Sequence, residues 1–170
     1  MPFSLLPSLI LDRTERITPQ LLIQQDIRLL MLDFDNTIVP YTTNEPTPAM
    51  AAWLQMIRDC GIPVCVVSNS RNDRVKIFCA KYGLDCITHA KKPFSKGIRE
   101  CLQRYGVAAS QSALVGDQIY TDTLGANCAG VKSILVKAID NHNFWLKARH
   151  VLELPFIYAA RKRRLNHEES

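Results

Sequence analysis

The chain has 170 residues, 47% of them hydrophobic, which is enough for one domain to bury a substantial core without metal or disulfide staples. No apolar run approaches the roughly 20 residues of a membrane-spanning helix. The apolar start has no basic region before it and no small-residue cleavage site after it, so we expect a cytoplasmic protein. The formal net charge of +5 favours anionic partners such as phosphate esters, anionic lipid or nucleic acid.

Short apolar runs alternate with helical patterns through the middle of the chain. Strands are predicted at 27–32, 64–67, 86–88, 113–115 and 131–136. Helices are predicted at 48–60, 75–82, 95–105 and 121–129. The alternation indicates βα units, so we expect an α/β, Rossmann-like three-layer sandwich around a mostly parallel sheet.

The six cysteines stand at separate positions, with no CxxC pair and no cysteine–histidine cluster at metal-ligand spacing. This pattern favours buried thiols in a reducing compartment over disulfides or a zinc site.

Polar residues follow four of the predicted strands directly. Their positions are Asp33 and Asp35, Ser68 and Asn69, Lys91 and Lys92, and Gly116 and Asp117. The carboxyl ends of parallel strands meet at one edge of an open sheet, where ligands bind at the point of strand-order reversal. We therefore expect these groups to form one site.

The pair Asp33 and Asp35 is the strongest local signal. Two carboxylates two residues apart on an extended segment repel each other unless a metal ion or a proton lies between them. Taken alone, the pair is also compatible with a polar turn, since acidic turns are common.

Together these motifs resemble those of the haloacid dehalogenase (HAD) superfamily of phosphatases. The first motif, DxDx[TV], is carried by Asp33, Asp35 and Thr37, and the second by Ser68 at a strand end. The third is carried by Lys92, with Lys91 as a neighbouring alternative, and the fourth by Asp117 with Asp122. The segments LDFDNTIVP, SNS, AKKP and VGDQIYTD resemble those of the class IIIA branch of the superfamily. This branch includes YqeG-type proteins and phosphatidylglycerophosphate phosphatases.

The resemblance implies a role for each acidic group. Asp33 would be the nucleophile that forms an aspartyl-phosphate, and Asp35 the general acid and then base. Mg²⁺ would be held by the Asp33 and Asp117 carboxylates and the Asp35 backbone carbonyl. Asp122 would orient a ligand or a water, although an acid at a helix start also fits the helix dipole.

The resemblance also implies a phosphate-binding set. Ser68 and Asn69 would donate hydrogen bonds to phosphoryl oxygens, and Lys92 would offset charge in the transition state. Thr37 belongs to the first motif in a supporting position. Ser68 could instead serve as a helix cap.

The spacing leaves no room for a cap domain after the first motif or between the second and third, so we expect an uncapped, open site. We treat residues 1–170 as one domain with an apolar N-terminal segment, 1–26, and a basic C-terminal segment, 143–170. Apolar groups beside cations suit docking on anionic lipid, while terminal helices packed on the sheet would give the same pattern.

The sequence is compatible with three functions. The first is hydrolysis of phosphatidylglycerophosphate by a phosphatase at a membrane surface, with no transmembrane segment. The second is hydrolysis of a small soluble phosphate ester. The third, disfavoured by the intact acidic set, is a basic RNA- or ribosome-associated binding module.

Overall fold

The computed structural model describes residues 4–140 together with Pro155 and Tyr158, so the predicted basic segment 143–170 lies almost entirely outside the described residues. The strands are β1 Leu9–Leu11, β2 Leu29–Leu32, β3 Val64–Val67, β4 Asp85–Ile87, β5 Ser112–Gly116 and β6 Lys132–Val136. The helices are α1 Pro19–Gln24, α2 Pro48–Asp59, α3 Arg74–Tyr82, α4 Lys96–Tyr105 and α5 Leu124–Ala129. A π-helical turn, Ile119–Thr123, leads directly into α5.

The six strands form one sheet in the order β1-β6-β5-β2-β3-β4, and every neighbouring pair is parallel. Strand β2 lies at the centre, and the chain builds outward from it first through β3 and β4 and later through β5 and β6. The strand order therefore reverses at β2, which leaves a crevice above the carboxyl ends of β2 and β5.

Alternate residues of β2 pack on opposite faces of the sheet. Leu30 and Leu32 join a core with α1, α2 and α3, whereas Leu29 and Met31 join a second core with α4 and α5. A strand buried on both faces reads as a continuous apolar run, as β2 does. The predicted three-layer α/β sandwich is confirmed.

The middle elements follow their sequence signals closely. Helix α2 begins as predicted, since the Thr47 hydroxyl accepts a hydrogen bond from the Met50 N–H at 3.1 Å and Pro48 fills the first turn. Helices α3 and α4 end at Gly83 and Gly106, both in the left-handed conformation. The helix predicted from residue 121 differs, because the chain enters it through the π-helical turn.

The N-terminal segment adds two elements that the sequence did not predict, β1 and α1. Ile17 and Leu22 are fully buried, and the Trp53 indole donates to the Ile17 carbonyl at 2.8 Å. These contacts favour packing on the sheet over an exposed lipid-binding helix for residues 17–22.

The prediction of buried thiols was wrong for Cys60 and Cys128, and Cys86 is only half-buried. Cys65, Cys79 and Cys101 are buried, but Cys60 and Cys128 are exposed because they lie at the solvent-facing ends of α2 and α5. All six are free thiols.

The connections at the carboxyl edge are short. One helix joins β3 to β4 and one helix joins β4 to β5, and residues 33–47 contain no helix or strand. Within residues 4–140 there is accordingly no inserted cap over the carboxyl edge. Among the described residues, no helix has both the length and the apolar character that crossing a membrane requires.

Candidate active site

Asp33 follows the central strand at the crevice. Its backbone N–H donates to the Val115 carbonyl at 2.8 Å, which ties it to β5. On the other side, Leu32 pairs with Val66 of β3. Ser68, which directly follows β3, therefore lies near the height of Asp33 at the carboxyl edge of the sheet. The side chain of Asp33 is only 10% exposed. The fold thus holds this carboxylate at the centre of the carboxyl edge, largely shielded from water.

Lys92 lies between two carboxylates. Its ammonium nitrogen is 2.6 Å from Asp33 Oδ1 and 2.7 Å from Asp122 Oδ1, and its side chain is almost completely buried. Burial alone would lower the pKa of Lys92, but the charges of Asp122 and Asp33 outweigh it and raise the pKa, so the ammonium stays charged. Lys91, the neighbouring alternative, is exposed.

Asn69 fixes the backbone of that lysine. Its side-chain oxygen accepts from the Lys92 N–H at 2.7 Å, and its amide nitrogen donates to the Lys92 carbonyl at 2.9 Å. One amide hydrogen remains available, so the prediction that Asn69 also binds phosphate stays a prediction. The geometry gives it a positioning role that the sequence did not suggest.

Asp122 has both carboxylate oxygens engaged. Oδ1 faces Lys92, and Oδ2 accepts from the Gln118 N–H at 3.1 Å. Gly116 makes this approach possible, because a Cβ at that position would lie 2.3 Å from the Asp122 carboxyl carbon. Burial raises the pKa of Asp122, with Lys92 opposing the shift. Asp122 thus contacts Lys92 and the Gln118 N–H, and the supporting role predicted for it stays a prediction.

Asp117 differs from Asp122 in that one oxygen lacks a partner. Its Oδ1 is buried and forms no hydrogen bond within the described residues. Burial, and then the charges of Asp122 and Asp33, raise the pKa of Asp117 well above its usual range. An unpaired buried carboxylate oxygen is costly unless a cation or proton joins it.

The arrangement of carboxylates fits a divalent metal ion. Asp33, Asp117 and Asp122 each offer one oxygen, and these oxygens all lie within 4.8 Å of one another. The Lys92 ammonium group pairs with Asp33 and Asp122 alone, so the three carboxylates outnumber the one buried cation among them. Carboxylate oxygens are ligands that hard divalent cations prefer, and the unpaired oxygen of Asp117 is available to such an ion.

Asp35 faces an arginine that the sequence analysis missed. The Arg74 guanidinium is 2.9 Å from Asp35 Oδ1 and lies 5.0 Å from the centre of the Phe34 ring. It also donates to the Thr43 carbonyl at 2.7 Å, which joins the start of α3 to the loop after β2. Burial raises the pKa of Asp35, and the Arg74 charge opposes that shift.

Ser68 and Thr37 are both buried beside these groups. The Ser68 hydroxyl accepts from the Ser70 N–H at 3.1 Å and keeps its own hydrogen for another acceptor. The Thr37 carbonyl accepts from the Thr14 hydroxyl at 3.1 Å, while the Thr37 hydroxyl has no partner within the described residues.

Comparisons with known proteins place the chain in a class. Residues 89–143 match the HAD-hydrolase-like family model. The fold resembles the cobalt-bound deoxy-D-mannose-octulosonate 8-phosphate phosphatase from Haemophilus influenzae, with a TM-score of 0.53, 15% identity, and 74% of this chain and 75% of that chain covered. A HAD family hydrolase from Streptomyces avermitilis gives a TM-score of 0.55 at 17% identity, covering 68% and 70%. The fold is thus that of a HAD-type hydrolase.

A closer likeness narrows the class. The chain is 32% identical over 131 residues to the probable phosphatase YqeG of Bacillus subtilis, and the match covers 77% of this chain and 76% of that protein. The chain belongs to the HAD superfamily, in the YqeG-like family of HAD-type phosphatases.

Proposed function

We propose that this protein hydrolyses phosphate monoesters with Mg²⁺, through a phosphorylated Asp33. The observation that carries the proposal is the position of the Asp33 carboxylate. It lies at the strand-order reversal, 2.6 Å from a buried ammonium group and within 4.8 Å of two further carboxylates. Such a group is fixed in place and surrounded by charges that suit a phosphoryl group and its metal ion.

In the first step, an oxygen of Asp33 attacks phosphorus as the bond from phosphorus to the leaving oxygen breaks. Lys92 pairs with Oδ1 of the nucleophile and stays positively charged. Its charge offsets the negative charge that spreads over the equatorial oxygens of the phosphoryl group. Ser68 donates its free hydroxyl hydrogen to one of those oxygens. The product is an alcohol and an aspartyl-phosphate.

Asp35 handles the protons in both steps. It gives a proton to the leaving oxygen in the first step and takes one from the attacking water in the second, which returns inorganic phosphate and free Asp33. Burial favours the protonated form of Asp35, which suits a general acid. Arg74 orients the carboxyl group from the side of α3.

The metal would be held by the carboxylates of Asp33 and Asp117 and by the Asp35 backbone carbonyl, with Asp122 in support. A bound Mg²⁺ neutralises charge on the phosphoryl group and helps to align it with the nucleophile. The unpaired Oδ1 of Asp117 is the observation that favours this assignment.

For the substrate we propose phosphatidylglycerophosphate at a membrane surface. Support comes from the absence of an inserted cap within residues 4–140, since an open edge can accept a phosphate presented on a large body. The positive net charge favours an anionic surface. Residues 17–22 do not support lipid binding, because Ile17 and Leu22 are buried.

The test is phosphate release from phosphatidylglycerophosphate in mixed micelles, with Mg²⁺ and with a chelator, beside sugar, nucleotide and aryl phosphates. We expect the highest kcat/KM for the lipid and no turnover after chelation. A clear preference for a small soluble ester would replace the lipid assignment. If no ester is hydrolysed and RNA binds with a steep salt dependence, the enzymatic proposal fails.

A further inference from the structure

Exposed apolar side chains gather at the catalytic edge. Three of them, Tyr41, Phe94 and Ile139, lie in the connections after the carboxyl ends of β2, β4 and β6, and are 62%, 74% and 41% exposed. We call these three residues the apolar rim.

The apolar rim is fixed to the catalytic loop by main-chain geometry. The Asn36 side-chain oxygen accepts from the Tyr41 N–H at 3.0 Å, and the Asn36 carbonyl accepts from the Ile139 N–H at 3.0 Å. Asn36 follows Asp35 directly and has a positive φ of 60°, a conformation that asparagine tolerates well. The backbones of two of the three residues of the apolar rim are therefore fixed by one residue of the first motif.

Phe94 is held on the other side of the site. Its N–H donates to the Lys91 carbonyl at 2.9 Å, and it stands two residues after the buried Lys92. This connection is tied to the loop after β3, since the His89 and Ala90 N–H groups donate to the Ser70 and Ser68 carbonyls at 3.3 and 3.0 Å. The apolar rim thus borders the site on two sides.

Exposed cations lie in the same connections. Arg71 follows β3, Lys91 follows β4, and Lys96 begins α4 at the same edge. None of the three makes an ion pair with another residue of the range 4–140. Their charge is available to an anionic surface.

The acidic side chains of this edge are largely neutralised nearby. Asp12 pairs with Lys137 at 2.9 Å, Asp73 with Lys76 at 3.3 Å and Glu45 with Lys81 at 2.7 Å. Glu15 stands between Arg13 and Arg16 in sequence. These ion pairs cancel equal numbers of acidic and basic charges and do not involve Arg71, Lys91 or Lys96. One further acidic residue, Asp140, directly follows Ile139.

We propose that the apolar rim, with Arg71, Lys91 and Lys96, is a docking surface for an anionic lipid bilayer, so that the catalytic edge faces the membrane. The inference rests on the proposed function and adds to it the face of the protein that meets the lipid. Apolar side chains enter the interface while the cations bind anionic headgroups, which is the combination that interfacial binding requires. Because the open site lies between the apolar rim and these cations, the phosphate of a lipid reaches Asp33 while the lipid stays in the membrane.

The experiment is co-sedimentation of the full chain with vesicles of phosphatidylcholine, with and without phosphatidylglycerol. We expect binding to the phosphatidylglycerol vesicles alone. Phe94→Ser should weaken that binding about tenfold, since burial of a phenyl side chain is worth roughly that much. Arg71→Glu and Lys96→Glu should each weaken it by at least about fivefold.

Matched controls come from other faces of the molecule. Ile77→Ser and Ile23→Ser remove apolar side chains that are 68% and 72% exposed on α3 and α1, and Arg99→Glu removes an exposed cation of α4. These variants should bind vesicles like the unchanged protein. All six variants should hydrolyse a soluble aryl phosphate normally, which shows that the site is folded.

The outcomes separate this proposal from the proposed function. If the lipid is hydrolysed in micelles but the protein does not bind phosphatidylglycerol vesicles, the docking surface is wrong and the enzymatic proposal stands. If vesicles are bound through Phe94 and Arg71 but the lipid is not hydrolysed, the docking surface stands and the substrate assignment fails. Equal losses in the rim and control variants, or binding to RNA alone, would overturn the docking surface.

Discussion

Two ion-paired regions of the site differ in their access to water. The first, which we call the ionic cluster, comprises Asp33, Lys92, Asp117 and Asp122, and the Lys92 side chain in it is only 1% exposed. The second is the Asp35–Arg74 pair, whose side chains are 23% and 17% exposed. Charges that are cut off from water must balance one another, whereas a partly open pair is screened and can rearrange. We therefore expect the ionic cluster to control both folding and turnover, and the Asp35–Arg74 pair to tune the rate.

The largest effect should follow Asp33→Asn. The amide keeps the volume but cannot form the acyl phosphate, so kcat should fall by at least about 10³-fold. Phosphate release with Mg²⁺ measures this loss, and circular dichroism shows whether the fold is intact. Substantial activity in a folded Asp33→Asn protein would remove Asp33 from the mechanism.

Lys92→Met should affect folding as well as catalysis. It leaves Asp33 and Asp122 buried without their common cation, and removal of one partner from a buried ion pair costs about 3–5 kcal/mol. Urea unfolding measures the change in the free energy of unfolding. Lys91→Met is the matched control, because that neighbour is exposed and should cost less than about 0.5 kcal/mol. Equal costs for the two lysines would contradict the assignment of Lys92.

Asp117→Asn should raise the Mg²⁺ concentration needed for half-maximal activity by at least about tenfold, because metal affinity depends on ligand charge and geometry. The measurement is a Mg²⁺ titration of phosphate release at saturating ester. The Asp122→Asn protein provides the comparison, since both Asp122 oxygens already have partners. An unchanged titration for Asp117→Asn would exclude it as a ligand.

Arg74→Ala should have the smallest effect, about a tenfold loss of kcat/KM, the size expected for one charge-assisted hydrogen bond. If Arg74 acts by orienting Asp35, alkyl phosphates should lose more than aryl phosphates, because poor leaving groups need the proton more. Arg74→Lys should recover part of the loss. Equal losses for both ester types would indicate a structural role alone.

The ionic cluster and the Asp35–Arg74 pair also differ in how far the sequence predicted them. Asp33, Lys92 and Asp117 each follow a strand, and parallel topology predicts that such positions converge. Asp122 lies in the turn before α5 and was predicted from the family motif instead. Arg74 is the first residue of α3 and follows a run of polar residues. Its position relative to the motifs does not distinguish it from Arg71. Its contact with Asp35 depends on the approach of α3 to the loop after β2, which is a tertiary property.

The same distinction applies to the fold. Strand β3 was predicted with its observed bounds because turn residues flank a short apolar run on both sides. Strand β1 was missed because it is only three residues long and pairs with β6, more than one hundred positions away in sequence. The π-helical turn before α5 was missed because the residue pattern of 121–129 does not distinguish a π-helical turn from the first turn of an α-helix.

The most direct test of the central claim is chemical trapping of residue 33 during turnover. The protein is mixed with Mg²⁺ and a hydrolysable phosphate ester, quenched in acid and treated with borohydride, which reduces an acyl phosphate to an alcohol. Peptide mass spectrometry should then find homoserine at position 33 and unchanged aspartate at position 35. Steady phosphate release with aspartate intact at position 33, or with homoserine at position 35, would contradict the account.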